Sequence, residues 1–404
     1  MATRARAGSV EAKSRTGTHA EMLARAQELL PTLKARAPEC ERLRKIPRET
    51  IDDLMEAGII NLMLPKRWGG SELDYVALYD VISAVASACA STSWVLTNLI
   101  SCNFMPCYWP EEAQKELWSE TPDTLLLGSL IFTGGRAVPT KGGYKLSGRW
   151  PLVSGCDHGD WLVLAAFVEG EEGDARFRMF LVPKADYSIL DTWHASGLKG
   201  TGSNDVVMTD KFVPEHRTIL VAQTKGGDSP GARGNTGFVY RMPLFALFSS
   251  WVGASVLGVA QGALQDFLTD TRARITKITG VKMADYSTVQ VKVGEAACAI
   301  NAARALVYDN VREAQEIAKA GGIPTMEQKL RYRADGSYAG EICMRAVDLL
   351  HRASGAGGLY EQNVMARHFR DAHAGTSHIT QNLDMNVSLF ARQLLGLPTD
   401  APML

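Results

Sequence analysis

The sequence is short of the features that announce several common functions. Cysteine is sparse and unpatterned: Cys40, Cys89, Cys102, Cys107, Cys156, Cys298 and Cys343 are odd in number and never form a CxxC pair. That argues against a disulfide framework or a structural zinc site and fits a reducing cytoplasm. No charge of either sign dominates, with 43 Lys and Arg against 44 Asp and Glu. Neither nucleic acid nor an anionic membrane is therefore expected as the main partner. No GxGxxG or P-loop occurs; Gly200-Thr-Gly202 and Gly355-Ala-Gly357 both lack the further glycine of a phosphate cradle, so no nicotinamide site is visible. HExxH is absent, and His368, His373 and His378 follow each other at five-residue steps. About 500° of helical turn per step does not bring them onto one face, and no metal is expected. Met1 to Thr18 carries Arg4, Arg6, Lys13 and Arg15 but no apolar run. It reads as a frayed tail, residues 1–19, rather than a secretory signal.

Charge is also missing from two long stretches, Val81 to Pro110 and Met242 to Gln265. Length alone permits membrane spans, but Ser, Thr, Asn, Gln and Cys dilute both, as in Ser101-Cys102-Asn103 and Ser249-Ser250. They are expected as helices buried inside a bundle. With 404 residues, 46% of them hydrophobic, the chain can bury the cores of two or three domains.

What is present divides into three parts. Ala20 to Arg36 has apolar residues at helical spacing, Glu49 to Ala57 is a second helix stopped by Gly58, and Pro65 to Asp74 is a turn-rich loop. Leu73 to Leu99 reads as one long helix, and Pro110 to Ser119 opens another. From Thr121 the pattern shortens to β-rich runs: Leu125 to Phe132, Tyr144 to Ser154, Trp161 to Val168, Phe177 to Val182 and Val206 to Val213. No long helix interrupts them, which predicts an antiparallel sandwich or barrel. After the glycine-rich Gly226 to Gly237, four long helical segments follow: Leu244 to Ile275, Thr288 to Ala320, Met326 to Ser354 and Tyr360 to Leu395. The expectation is an α+β chain with a helical domain at 20–120, a β domain at 121–225 and a C-terminal four-helix bundle at 226–404.

This order resembles the acyl-CoA dehydrogenase superfamily from Ala20 to Leu397. The motifs are Gly143-Gly-Tyr-Lys-Leu-Ser-Gly-Arg-Trp-Pro-Leu-Val-Ser-Gly155, Gly197-Leu-Lys-Gly-Thr-Gly-Ser203, Gly355-Ala-Gly-Gly-Leu-Tyr360, and Phe369-Arg-Asp371 leading into Ala374-Gly-Thr-Ser377. Cys89-Ala-Ser-Thr-Ser-Trp94, Pro110 to Trp118, Trp150 to Trp161 and Tyr240-Arg-Met-Pro243 look more narrowly like the oxygenase components of two-component flavin hydroxylases. That group includes 4-hydroxyphenylacetate hydroxylases and enzymes acting on phenolic steroid-degradation intermediates or polycyclic polyketides. The resemblance implies reduced FMN or FAD from a separate NAD(P)H:flavin reductase, O2, a flavin C4a-hydroperoxide, an aromatic or related small-molecule substrate, and a homotetramer or homodimer through the C-terminal bundle.

One absence separates the branches. Dehydrogenases ending in Tyr-Glu-Gly-Thr-Ser use that glutamate to remove the substrate α-proton, whereas this chain has His373-Ala-Gly-Thr-Ser377. Alanine cannot accept a proton, and no Asp or Glu lies between Asp371 and Asp384. Three readings stand beside hydroxylation: an acyl-CoA dehydrogenase with its base on another helix, N-oxygenation of an amine, and a catalytically silent, flavin-free relative.

Activating O2 on a flavin needs a dry site, a partner for the flavin N5 proton and a donor near the reacting oxygen. By resemblance Ser154 is the flavin-facing hydroxyl and Ser129 a substrate-side hydroxyl, where the plainer alternatives are a strand-end serine and a cross-sheet hydrogen bond. Trp150 and Trp94 wall flavin or substrate, or are core aromatics. His378 matches the C-terminal active-site histidine, able to donate to the distal oxygen or receive a phenol proton; His373 competes with it, and His158 reads as structural. Arg241 and Arg274 suit the flavin's pyrimidine edge or phosphate. The turn holding Gly357 and Gly358 lets backbone approach a phosphate from a neighbouring subunit. Where phenol hydroxylases of this type carry a histidine beyond the Trp94 position, this chain has Ser101-Cys102-Asn103, which makes Cys102 and Asn103 substrate-side candidates.

Overall fold

The first helix begins where the sequence offers a reciprocal cap. Thr18 accepts the Glu21 N–H while the Glu21 carboxylate accepts the Thr18 N–H at 2.7 Å, so two amide groups without helical partners are satisfied. The structure is a computed structural model describing residues 15–276 and 278–404. Most of the expected tail, including Arg4, Arg6 and Lys13, lies outside the described residues, while Arg15 pairs with Asp123 at 2.7 Å. Helix α1 (His19–Leu43) runs through Pro31 and Pro38, past the expected end at Arg36. Met22, Ala26, Leu33, Ala37 and Cys40 bury one continuous face, and that packing outweighs two missing amide donors.

Helix α2 (Arg48–Glu56) ends at Ala57, and Gly58 then takes φ 73°, as a helix stop of this kind requires. The expected single helix at 73–99 is two: α3 (Tyr75–Ala88), capped by Asp74, and α4 (Ala90–Phe104). Cys89 separates them with extended backbone at φ −151° and ψ 106°. Helix α5 (Glu111–Trp118) follows.

Among the described residues, eight strands form one sheet in the order β6-β7-β3-β2-β4-β5-β8, with β1 also on β4. They are β1 (Leu126–Ser129), β2 (Gly135–Thr140), β3 (Gly143–Val153), β4 (Trp161–Val168), β5 (Phe177–Pro183), β6 (Ser188–Leu190), β7 (Asn204–Pro214) and β8 (Thr218–Leu220). The expectation of a wholly antiparallel sheet needs correction. β1 and β2 lie end to end along one edge of β4 and both run parallel to it. A single turn at Phe132–Gly134 joins them, so the chain keeps its direction and supplies both parallel contacts without a crossover helix.

The last third holds α6 (Phe248–Ala273), α7 (Ser287–Lys319), α8 (Met326–Ala353), α9 (Val364–Thr376) and α10 (Leu383–Leu394). The fourth expected segment is therefore broken. Thr376 and Ser377 turn their hydroxyls back onto the His373 carbonyl, His378 caps the short turn Ile379–Gln381, and Asn382 caps α10. The two uncharged stretches are α3 with α4, and α6, all packed inside the molecule. Among the described residues no helix is long and apolar enough to cross a membrane.

Helix α6 reaches α3 closely because its contact residues are small. A Cβ on Gly258 would stand 2.2 Å from the Ser83 carbonyl oxygen and 2.5 Å from Ala86 Cβ. Gly258→Ala should therefore force the helices apart and destabilise the protein by about 1–3 kcal/mol. Chemical denaturation checks this, and an unchanged midpoint would show that the contact yields freely.

Candidate active site

Helix α4 has two residues that are not buried, Trp94 and Asn98. Four positions apart, they share one face of the helix. Opposite this face stand Ser154, just beyond β3, and His378, in the break between α9 and α10. The Trp94 indole N–H donates to Ser154 Oγ at 3.2 Å, and the His378 ring meets Trp94 edge-on with centroids 5.6 Å apart. Gly375 allows this approach: a Cβ there would lie 2.9 Å from Val256 of α6 and 3.5 Å from the Trp94 ring.

Ser154 belongs to a chain of hydroxyls whose direction can be worked out. Thr201 Oγ1 donates to the Leu198 carbonyl at 2.9 Å, which uses its only hydrogen. The contact between Thr201 and Ser203, 2.7 Å, must then be a donation from Ser203. By the same count the 2.7 Å contact between Ser203 and Ser154 is a donation from Ser154. Ser154 thus spends its hydrogen on Ser203, accepts from Trp94, and keeps one lone pair for the cleft. A β-bulge between Trp150 and Val153 sets this up: Leu152 adopts φ 60°, unusual for a branched side chain, and turns the strand end toward α4.

His378 is equally constrained. The Thr380 backbone N–H points at Nδ1 from 3.2 Å, and the Thr380 hydroxyl meets the same atom at 2.8 Å. Nδ1 is therefore the acceptor and Nε2 carries the proton. Burial pushes the imidazole down to about 4, because charging it in an apolar setting is costly. In this tautomer it offers a donor, which favours the first of its two expected roles, donation to the distal oxygen, over receipt of a phenol proton.

Of the residues expected on the substrate side, Ser129 Oγ donates to the Pro151 carbonyl at 3.2 Å, leaving its lone pairs as acceptors. Cys102 lies on the same stripe as Trp94 and Asn98. Its thiol donates to Asn98 Oδ1 at 3.3 Å and abuts Gly128 of β1.

Other expected residues fall elsewhere. Trp150 has no exposed surface and donates to the Ala165 carbonyl at 2.7 Å, inside the sheet's core; it walls nothing. Asn103 faces away, its amide holding Leu126 N–H and Asn61. His373 donates to the Phe369 carbonyl and lies tilted against that ring, centroids 4.3 Å apart, in the α8–α9 contact. His158 bonds the Ile46 carbonyl. Arg241 is exposed beside Tyr240, which packs on Phe104 at the far end of α4 from Trp94. Arg274 lies against the Gly355–Gly358 turn, bonding the Ser354 carbonyl at 2.9 Å, with its second terminal nitrogen 3.9 Å from a Cβ position at Gly355 and 4.0 Å from one at Gly357. That turn is a cradle a side chain would fill, next to a guanidinium with donors to spare. Gly358 joins it through its carbonyl, held by His351 at 3.0 Å. However, Arg274 is about 27 Å along α6 from Val256, at 1.5 Å per residue. The structure unites Arg274, Gly357 and Gly358, and separates them from Ser154.

Asn98, Ser203 and Thr201 escaped the sequence reading. For Asn98 a signal existed: Trp94, Asn98 and Cys102 recur every fourth residue in an uncharged helix. Two surface hollows, about 470 Å³ around Arg178 and His216 and about 500 Å³ around Arg48 and His158, include none of these cleft residues. No cluster among the described residues could hold a metal ion. The cleft itself fits a reduced flavin, because its free lone pair on Ser154 matches an N–H donor beside an aromatic wall.

Comparison with known proteins agrees. The acyl-CoA dehydrogenase N-terminal domain family matches residues 16–121 and the acyl-CoA dehydrogenase C-terminal domain family residues 250–383. The chain is 34% identical over 375 residues to the flavin-dependent monooxygenase, oxygenase subunit HsaA, of Rhodococcus jostii, covering 93% of this chain and 98% of that one. It is 32% identical to the FADH(2)-dependent resorcinol hydroxylase, oxygenase component, of Rhizobium sp., covering 95% and 96%. The crystal structure of 3-HSA hydroxylase from Rhodococcus sp. RHA1 superposes with a TM-score of 0.90 at 34% identity, covering 95% and 99%.

Because the folded His378 binds its proton below the ordinary 6.5, its contribution to stability is complete above that pH and is lost as pH falls toward 4. Its ring should titrate near 4 by NMR, with the hydrogen on Nε2 in the neutral form. A midpoint near 6.5 would contradict the assignment.

Proposed function

Since this chain belongs to the oxygenase subunits of flavin-dependent monooxygenases, within the acyl-CoA dehydrogenase fold family, we propose that Trp94, Ser154 and His378 form its oxygen-transfer site. The enzyme is a reduced-flavin-dependent monooxygenase that hydroxylates an aromatic small molecule. Bound reduced FMN or FAD supplies the electrons that activate O2. The protein's own residues do the rest. Ser154 Oγ, through its one free lone pair, would accept a hydrogen bond from an N–H on the flavin ring and so help to hold that proton. Trp94 covers that hydrogen bond and excludes water. His378, with Nδ1 occupied by Thr380, would present Nε2–H to the reacting oxygen as a donor. The observation that carries this reading is the one-way hydroxyl chain ending at Ser154, which can offer the cleft an acceptor and nothing else.

A dehydrogenase would need a carboxylate in the cleft. Ala374 offers none, and the nearby Asp371 is buried and bonded at 2.7 Å to the Leu198 N–H. The assembly follows from the separation of the two sets of residues. Arg274, Gly357 and Gly358 would hold the phosphate end of a flavin whose ring sits in another subunit, in a homotetramer or homodimer. Exposed Leu359, Tyr360, Leu394 and Leu395 give the C-terminal helices the apolar surface for that contact. Reduced flavin comes from a separate NAD(P)H:flavin reductase, and the free cysteines favour a cytoplasmic setting.

Mixing the protein with anaerobically reduced FMN or FAD and admitting oxygen tests these roles. Ser154→Ala should shorten the lifetime of the near-ultraviolet band of the oxygenated flavin about tenfold, the weight of one hydrogen bond to it. Ser203→Ala should shorten it less, since Ser154 can then turn its hydrogen into the cleft. His378→Ala should lower oxygen transfer about 100-fold while leaving flavin affinity nearly unchanged. A Ser154→Ala lifetime equal to wild type would remove Ser154 from its role, and unimpaired transfer by His378→Ala would do the same for His378.

A further inference from the structure

Six of the seven cysteines are buried, and the oxygen-transfer site uses none of them. Burial pushes Cys102, Cys156 and Cys343 up to about 12 and raises Cys107 as well, so these behave as inert apolar side chains. Cys89 is drawn the other way. It sits in the extended break between α3 and α4 and is the N-cap residue of α4, with no cap bond from its own side chain. The Thr92 hydroxyl stands 3.2 Å from its Sγ, and the Cys40 thiol of α1 hydrogen-bonds to it. These two groups and the Arg367 guanidinium of α9 hold Cys89 below the ordinary thiol range against its own burial, while the same contact raises Cys40. The positive end of the α4 dipole acts in the same direction. Asp371 of α9 also lies near Cys89 and opposes a negative sulfur, but burial pushes that carboxyl up to about 7 and weakens its charge near neutrality.

The pair packs against the loop that ends the hydroxyl chain. A Cβ on Gly200 would stand 2.7 Å from Cys40 Cβ, and the Gly200 N–H donates to Ser91 Oγ, at the start of α4, at 3.2 Å. The next residue, Thr201, is the end member of the series that reaches Ser154. The loop thus links the two sulfurs to the cleft through adjacent residues. A sulfur that favours its anion at a helix N-terminus, beside a second thiol, has both parts of a peroxide-reactive site: a nucleophile and a resolving group.

We infer that Cys89 and Cys40 form a redox modification site for hydrogen peroxide, with Cys89 as nucleophile and Cys40 as resolving thiol. The Cys89 thiolate attacks one peroxide oxygen and the O–O bond breaks, giving a Cys89 sulfenic acid and hydroxide. The Cys40 sulfur then attacks Cys89 Sγ, its hydrogen leaves with the sulfenic oxygen as water, and a disulfide joins α1 to the α3–α4 junction. The hydroxide takes up the proton that Cys89 had released, so two thiols and one peroxide become a disulfide and two waters. A small-molecule thiol reductant reverses the bond, as befits a transient disulfide in a reducing setting. Reduced flavin and O2 yield hydrogen peroxide whenever no substrate is hydroxylated, so the source of the oxidant rests on the proposed function. The thiol chemistry does not depend on the roles of Ser154 and His378.

The test treats the reduced, anaerobic full-length protein with equimolar hydrogen peroxide, then denatures it, alkylates it and maps the cysteines by mass spectrometry. Two of the seven thiols should escape alkylation, with Cys40 and Cys89 joined, and dithiothreitol should restore both. Cys40→Ser lacks the resolving sulfur, so its Cys89 should stop at the sulfenic acid and take up dimedone. In Cys89→Ser, Cys40 should stay reduced and the protein should consume peroxide about tenfold more slowly, since the sulfur that ionises is gone. Two cysteines that merely fill the core would not show this order. Alkylation of all seven cysteines in peroxide-treated wild type overturns the inference, as does a dimedone adduct on Cys298 in place of Cys89. Should Cys89→Ser fail to fold, wild type and Cys40→Ser decide on the same criterion. Reduced flavin and O2 without substrate, in place of added peroxide, should form the same bond. A bond formed by added peroxide alone would refute the enzyme's own peroxide as the oxidant and keep the site. Failure of that mixture to consume O2 at all would defeat the proposed function instead.

Discussion

A carbonyl group that can only accept sets the chemistry of the cleft. The Leu198 carbonyl takes the Thr201 hydrogen, and each hydroxyl upstream must then point the same way, through Ser203 to Ser154. The indole N–H of Trp94 closes the series from the helical side. Reversing any member would bury two hydrogens face to face or leave a donor unpaired, at about 1–3 kcal/mol each. The polarity of one loop residue's backbone is thereby carried to the point where a flavin would meet the protein. Loop 197–203 is held in turn by Asp371, whose carboxylate accepts the Leu198 N–H, and by Gly197, where any Cβ would strike the Arg370 carbonyl at 2.1 Å. Helix α9, the loop and the sheet therefore fix the cleft jointly.

The second constraint is the absence of charge. Helix α4 and the part of α6 that packs beside it carry no Asp, Glu, Lys, Arg or His, and Ala374 stands where a dehydrogenase has its carboxylate. Burial is then the main influence on His378 and Cys102: it drives His378 down, and it drives Cys102 up against a smaller opposing hydrogen bond from Ser101. A dehydrogenase needs a base that cycles its protonation state, whereas oxygen transfer is served by hydrogen bonds that hold still. One fold supports both because the difference lies in a few side chains lining the same cleft.

Much of the architecture is legible in the residues. The apolar spacing of α1, α2, α5, α7 and α8, the β-rich runs and the Gly58 stop all name their elements correctly, since each depends on neighbours within a few positions. Errors concentrate where distant contacts decide. Cys89 breaks an otherwise helical run without glycine or proline, and α1 ignores two prolines. The break at 377–382 is made by side chains capping their own backbone. Strands β2, β6 and β8 are short, and the parallel edge shared by β1 and β2 cannot be seen before β4 is placed. Trp94, Ser154 and His378, which the structure brings together, were all named by motif resemblance. Asn103 and His373 were misplaced because adjacent or five-apart positions on a helix face different ways.

The sequence by itself determined the helix-sheet-helix order, the lack of a carboxylate at position 374, the uncharged character of α4 and the adjoining part of α6, and the absence of any visible nicotinamide cradle, for these are properties of residue identity and local spacing. Tertiary structure alone decided the rest. It assigned a direction to the hydroxyl chain and a tautomer to His378. It also sent Trp150 into the sheet and carried Arg274 away from Ser154. Each of these depends on which atoms face one another across elements far apart in the chain, and a hydrogen bond's direction exists only once both of its partners are in place.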